Sequence, residues 1–135
     1  MIGDKSSRIK KTVSVSRDLY LETDYEILRS LLLNLVKNSI EAISDDGTIE
    51  ISARKDGKRV SISVRDTGIG VPEEYVSKIW QPYYTTKPSG TGLGLPIALK
   101  FAEAIGCELE LDSDSNGTTV TLIFGGDDEG KNTTG

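Results

Sequence analysis

Residues 49–66 read IEISARKDGKRVSISVRD, and this stretch decides the fold. Ile49 and Ile51 alternate with polar neighbours, and Val60, Ile62 and Val64 repeat the same period beyond Lys55-Asp56-Gly57-Lys58. That is the pattern of two half-buried strands joined by a tight turn. Upstream, Asp24 has the side chain of a helix N-cap, and Leu28, Leu32, Leu35, Val36 and Ile43 recur behind it at helical spacing. A long helix is therefore expected up to about Ile43, ended by Asp45-Asp46-Gly47. Before it, Val13 and Val15, then Leu19 and Leu21, suggest one or two short strands. Downstream, residues 66–71 form a glycine-containing loop, and Pro72 opens a short helix through about Trp80. Residues 81–94, rich in proline and glycine, read as a mobile loop. A second long helix is expected from about Leu95 to Ile105, stopped by Gly106. A strand at Leu109 and Leu111, a turn at Ser115-Asn116-Gly117 and a last strand over Thr118–Phe124 follow. Strand pairs and helices mix without strict alternation. The expected fold is an α/β (α+β) two-layer sandwich, a mixed sheet with helices on one face.

The 135 residues suit one domain. Its expected body is residues 13–124, with a disordered arm at 1–12 and a disordered tail at 125–135. No stretch approaches the roughly 20 apolar residues of a membrane span, and the N-terminus does not read as a signal peptide. Cys107, alone of its kind, forms no internal disulfide, which fits a reducing, cytoplasmic setting. The net charge is −5, and the first twelve residues are basic, so the body is acidic. That argues against nucleic acid as a partner. The chain has no histidine, so no imidazole of its own serves as nucleophile, base or metal ligand.

Four clusters carry candidate chemistry. Asn34, Asn38 and Glu41 fall within a ~60° arc of the long helix, opposite its apolar face. Asparagine is a poor helix former, and its amide oxygen suits a hard cation; a solvated polar face is the other reading. Asp66-Thr67-Gly68-Ile69-Gly70 follows a strand directly. Its carboxylate can accept from an exocyclic amine, and its glycines admit a flat ligand; a plain tight turn is the alternative. Gly90-Thr91-Gly92-Leu93-Gly94-Leu95 leads into a helix, as a phosphate cradle does. Leucines between the glycines argue against a flexible linker there. Trp80, Tyr83 and Tyr84 lie beside Thr86 and Lys87, an apolar anchor next to a point charge suited to phosphate.

The order and type of these clusters resemble the boxes of sensor histidine kinases. Asn34-Leu-Val-Lys-Asn38 resembles the N box, Asp66 to Gly70 the first glycine box, Trp80 to Lys87 the F box, and Gly90 to Leu95 the second glycine box. Gly117-Thr118-Thr119 is similar to a degenerate third glycine box. The resemblance covers about residues 13–124. It implies the Bergerat fold that histidine kinases share with gyrase and MutL. It also implies an ATP-binding catalytic domain that passes the γ-phosphoryl group to a histidine on a separate dimerisation domain and serves a response regulator, without touching a membrane. Asn38 would ligate Mg²⁺, Asn34 would support the phosphates, and Asp66 would read the adenine amine. Gly68, Gly70 and Val71 would line the adenine floor, and residues 72–92 would form a lid. Lys87 and the amides of the second glycine box would hold phosphate. Thr86, Glu41 and Thr118 complete the expected nucleotide-binding set. Asn34 stands where the ATPase branches carry a glutamate base, which favours transfer over hydrolysis. Glu41-Ala42 replaces a common Lys-Tyr pair, resembling the nitrogen-regulatory variant. An anti-sigma-type serine kinase and a nucleotide-binding scaffold are the rival readings.

Overall fold

The structure is a computed structural model that describes residues 8–43, 46–68, 94–114 and 116–125. Its elements in chain order are β1 (Ile9–Val15), α1 (Tyr25–Ala42), β2 (Gly47–Asp56), β3 (Arg59–Asp66), α2 (Gly94–Ile105), β4 (Glu108–Asp114) and β5 (Gly117–Phe124). The strands form one sheet in the order β1-β2-β3-β5-β4. Only β1 and β2 are parallel, and their connection carries α1, since parallel neighbours require a crossover. The expected hairpin is β2–β3: Asp56 pairs with Arg59, and Gly57 turns at φ 63, a conformation that suits glycine.

Period-two alternation gives the sheet two unlike faces. On one, Ile49, Val60, Ile62, Val64, Val120, Leu122 and Phe124 are buried beneath the helices. On the other stand Glu50, Ser52, Ser63, Arg65, Thr119 and Thr121, with Ser63 and Thr121 hydroxyls 3.2 Å apart. The result is the two-layer sandwich with helices on one face.

Asp24 caps α1: its side chain accepts from the Ile27 amide at 3.0 Å. Leu31, Leu35 and Ser39 form the buried stripe of that helix. Ala98 and Ala102 of α2 are fully buried, and side chains this small let α2 lie close against α1. α2 ends as Gly106 enters φ 72; the Gly106 amide donates to Glu103 O and the Cys107 amide to Ala102 O. Both C-terminal carbonyls are thereby satisfied.

Four expectations change. Strand β1 begins at Ile9, inside the supposed arm, because Ile9 is 5% exposed and pairs with Gly47. The lysines around it stay in solvent, so polar composition hid the strand. Leu19 and Leu21 form no strand; they pack on the core from an irregular segment. Helix α1 stops at Ala42 as Ile43 becomes extended, and Gly47 already belongs to β2. Asn34 and Asn38 are half-buried on the flank of the apolar stripe, while Lys37 and Glu41 face solvent. Residues 69–93, which hold the expected short helix and lid, lie outside the described residues, as does the tail beyond Gly125.

Candidate functional site

The apolar rows of the sheet end in a polar one. Register places Ile49, Asp66, Thr118 and Ser113 side by side across β2, β3, β5 and β4, on the helix-covered face. The preceding row is Ile51, Val64, Val120 and Leu111. A buried carboxylate is costly without partners, so this polar row marks a candidate site.

Asp66 is 4% exposed. Its Oδ1 accepts from the Gly68 amide at 2.8 Å and from the Thr118 amide at 3.3 Å. Two backbone donors on one oxygen fix the carboxylate and leave Oδ2 for a further donor. No described residue donates to Oδ2.

Three neighbours hold this corner. A Cβ on Gly68 would lie 2.6 Å from the Ala42 carbonyl, so glycine is required where the loop meets the end of α1. A Cβ on Gly117, at φ 143, would overlap the Asp66 carbonyl oxygen. Thr67 continues the ladder beyond β3: its amide donates to Thr48 O at 3.2 Å, and its hydroxyl accepts from the Thr48 amide at 3.0 Å. The Thr118 hydroxyl lies 2.8 Å from the Ser113 hydroxyl.

The close fit of Gly68 on Ala42 brings the C-terminal end of α1 beside Asp66, and with it the helix flank that carries Asn34 and Asn38. The two asparagines are one turn apart, roughly 6 Å along the axis. Glu41 points to solvent. Gly94 and Leu95 form the start of α2, whose first turn holds no acidic side chain, so its amide dipoles remain positive toward an anion. Gly70, Val71, Thr86, Lys87, Gly90, Thr91, Gly92 and Leu93 lie outside the described residues. Thr119 faces the opposite side, beside Arg65.

Among the described residues, no three His, Cys, Asp or Glu side chains converge as a metal cage. Mg²⁺ seldom uses such a cage; it keeps water and phosphate oxygens and takes one or two protein ligands. A lone amide oxygen from Asn38 fits that habit. Cys107 is no candidate nucleophile: burial raises its thiol from 9.0 to about 11, so it stays protonated. Among the described residues, no helix is long and apolar enough to cross a membrane.

Sequence reasoning named Asp66, Gly68 and Thr118 as candidates, which the fold brings to one corner, but did not anticipate the bracing by Ser113, Thr67 and Gly117. Their signal lies in cross-strand register, which becomes visible only when β4 and β5 are paired.

Three similarities extend the picture. Residues 23–126 match the family described as histidine kinase-, DNA gyrase B-, and HSP90-like ATPase. Sporulation kinase C of Bacillus subtilis (strain 168) is 36% identical over 115 residues, covering 85% of this chain and 27% of that protein. The chain thus spans about a quarter of that curated relative. A catalytic domain of histidine kinase ThkA in nucleotide-free form superimposes with a TM-score of 0.78 at 34% identity, covering 88% of this chain and 80% of that one. ThkA in complex with response regulator protein TrrA gives 0.74 at 30% identity, over 88% of this chain and 34% of that one.

Proposed function

Because the chain belongs to the histidine kinase-, DNA gyrase B-, and HSP90-like ATPase family, we propose that it is the ATP-binding catalytic domain of a sensor histidine kinase. On this reading it passes the γ-phosphoryl group of ATP to a histidine on a separate dimerisation domain, in the cytoplasm, for onward delivery to a response regulator. The observation that carries the proposal is buried Asp66, anchored through Oδ1 by two backbone amides with Oδ2 left to accept a hydrogen bond. An adenine amine suits that oxygen. A guanine carbonyl would face it lone pair to lone pair, a mismatch that discriminates strongly in a buried site.

Phosphoryl transfer asks mainly for position and charge compensation. The amides opening α2 at Gly94 and Leu95 would meet phosphate oxygens, joined by those of Gly90, Thr91, Gly92 and Leu93 and by Lys87 and Thr86. Asn38 would hold Mg²⁺ through its amide oxygen, supplying positive charge beside the phosphates, with Asn34 one turn away supporting them. Gly70 and Val71 would complete the floor that Gly68 begins, and Thr118 would sit beside the base. Glu41, exposed on α1, would sit at the rim. The acceptor comes from another domain, since this chain contains no histidine.

The test is radiolabelled ATP given to this chain, alone and mixed with the histidine-bearing domain of its own kinase. Acid-labile label on the partner alone is the expected result. Acid-stable label on a partner serine would favour the anti-sigma-type reading, and no transfer at all would favour a scaffold.

A further inference from the structure

The two outer strands of the sheet carry opposite charge. Strand β1 holds Lys10 and Lys11 and no acid, while β4 holds Glu108, Glu110, Asp112 and Asp114 and no base. Among the described residues, no strand pairs with the outer edge of either one. A bare edge offers its backbone donors and acceptors to another strand. On β1 these groups can be traced: the Ser16 amide donates inward to Ala53 O at 2.9 Å, so by alternation the Val13 and Val15 amides point outward. Charge guards each edge against its own kind, because lysine would meet lysine and acid would meet acid. It does not guard β1 against β4.

The rows of the sheet add a second match. On the helix side one row starts at Val13 and ends at Leu111, and the next starts at Val15 and ends at Leu109. On the opposite face the rows join Thr12 to Asp112 and Ser14 to Glu110, with Lys10 one step beyond Thr12. Strand β4 runs antiparallel to β1, since three antiparallel steps follow the parallel β1–β2 pair. A second copy shifted sideways in the plane of the sheet therefore brings its β1 antiparallel to β4 with every row continued. Val13 then meets Leu111 and Val15 meets Leu109, while Thr12 lies opposite Asp112 and Lys10 reaches that carboxylate diagonally. The two valines are 69% and 59% exposed, and both leucines are only partly buried, so all four have apolar surface left to cover.

We infer that β4 is a docking edge for β1 of a second copy of this chain, extending the sheet from one molecule into the next. The contact joins unlike surfaces, so it does not close at two copies and propagates as a twisted ribbon. One strand pair buries little surface, so the association is weak and belongs to crowded chains.

The experiment is sedimentation of the whole chain up to about 1 mM, where so small an interface is populated. The average mass is expected to climb with concentration past that of a dimer. Val13→Pro removes an outward donor and leaves the ladder to β2 intact, so it should lower the association constant tenfold or more. Two further variants test the pairing by charge. Glu110→Lys with Asp112→Lys should stop self-association, although it brings the net charge nearer zero, which by itself favours clustering. Lys10→Glu with Thr12→Glu should also stop it. Mixed together, the two variants should associate again, because each then presents an edge that the other matches. That recovery also shows both variants folded, and unchanged ADP binding in each alone checks the same point. A chain that stays monomeric at 1 mM, a mass that levels off at the dimer, or a mixture that fails to associate while both variants bind ADP would overturn the inference.

Discussion

A carboxylate and a carboxamide have nearly the same shape, so Asp66→Asn isolates the donor pattern at this position. The asparagine oxygen should replace Oδ1 under the Gly68 and Thr118 amides, which turns its NH₂ toward the base. Two donors then meet where an amine needs an acceptor. Loss of a hydrogen bond to a charged group costs about 1.5–3 kcal/mol, or roughly ten- to a hundredfold in ADP affinity. Guanine nucleotide should gain relative to adenine, and unchanged circular dichroism would show the fold intact. Gly117→Ala acts differently: its Cβ overlaps the Asp66 carbonyl, and φ 143 suits glycine alone. Strain of this kind costs about 1–3 kcal/mol, measurable as a lower urea midpoint, with weaker ADP binding alongside. Asp66 was legible because an acidic residue and spaced glycines follow a clear strand. Ser113 was not, since a serine beside a turn is ordinary. Its meaning depends on alignment with Thr118 and Asp66, which are distant in sequence from one another.

At the scale of elements, the stop of α2 couples geometry to pH. Gly106 in the left-handed region lets the Cys107 amide reach Ala102 O at 3.0 Å, and this seats the Cys107 thiol in the core. Gly106→Ala should destabilise by about 1–2 kcal/mol without altering nucleotide preference, because the left-handed conformation penalises a Cβ. Burial raises the Cys107 thiol from 9.0 to about 11, so the folded state holds its proton more tightly than the unfolded one. The associated stability is complete below about pH 9 and is lost as pH climbs toward 11. Urea unfolding from pH 8 to 10.5 should show a steeper alkaline decline for the native chain than for Cys107→Ala, and parallel curves would refute the linkage. Helices α1 and α2 and the β2–β3 hairpin were legible because periodicity, caps and turn chemistry agree. Strand β1 escaped at its start because an edge strand buries little: Val13 is 69% exposed, and Ile9 alone of its side chains is buried. The flanking position of Asn34 and Asn38 was missed for a related reason. The buried stripe of α1 runs through Leu31, Leu35 and Ser39, and a serine does not advertise burial.

For the whole molecule, the helices cover one face of the sheet, and the proposed reaction needs a second body. The acidic chain holds no histidine, so on the proposed reading the phosphoryl acceptor arrives on another domain. Asn34 carries no charge that could deprotonate water, and resemblance places it where hydrolysing relatives have a glutamate. Two rates should therefore separate. With the isolated chain, release of inorganic phosphate from ATP should stay slow and show no label on protein. With the histidine-bearing domain added in trans, acid-labile label should appear at an initial rate that rises in proportion to that domain until the two bodies saturate. Asn38→Ala should suppress the transfer by tenfold or more while Asp24→Ala, which removes only the α1 cap at a cost of about 1 kcal/mol, should leave it unchanged at temperatures where the domain remains folded. Quenched-flow sampling with acid and base treatment distinguishes phosphohistidine from phosphoserine. A transfer rate independent of partner concentration, or hydrolysis by the lone chain faster than transfer, would show that the site is closed around water rather than open to a second domain.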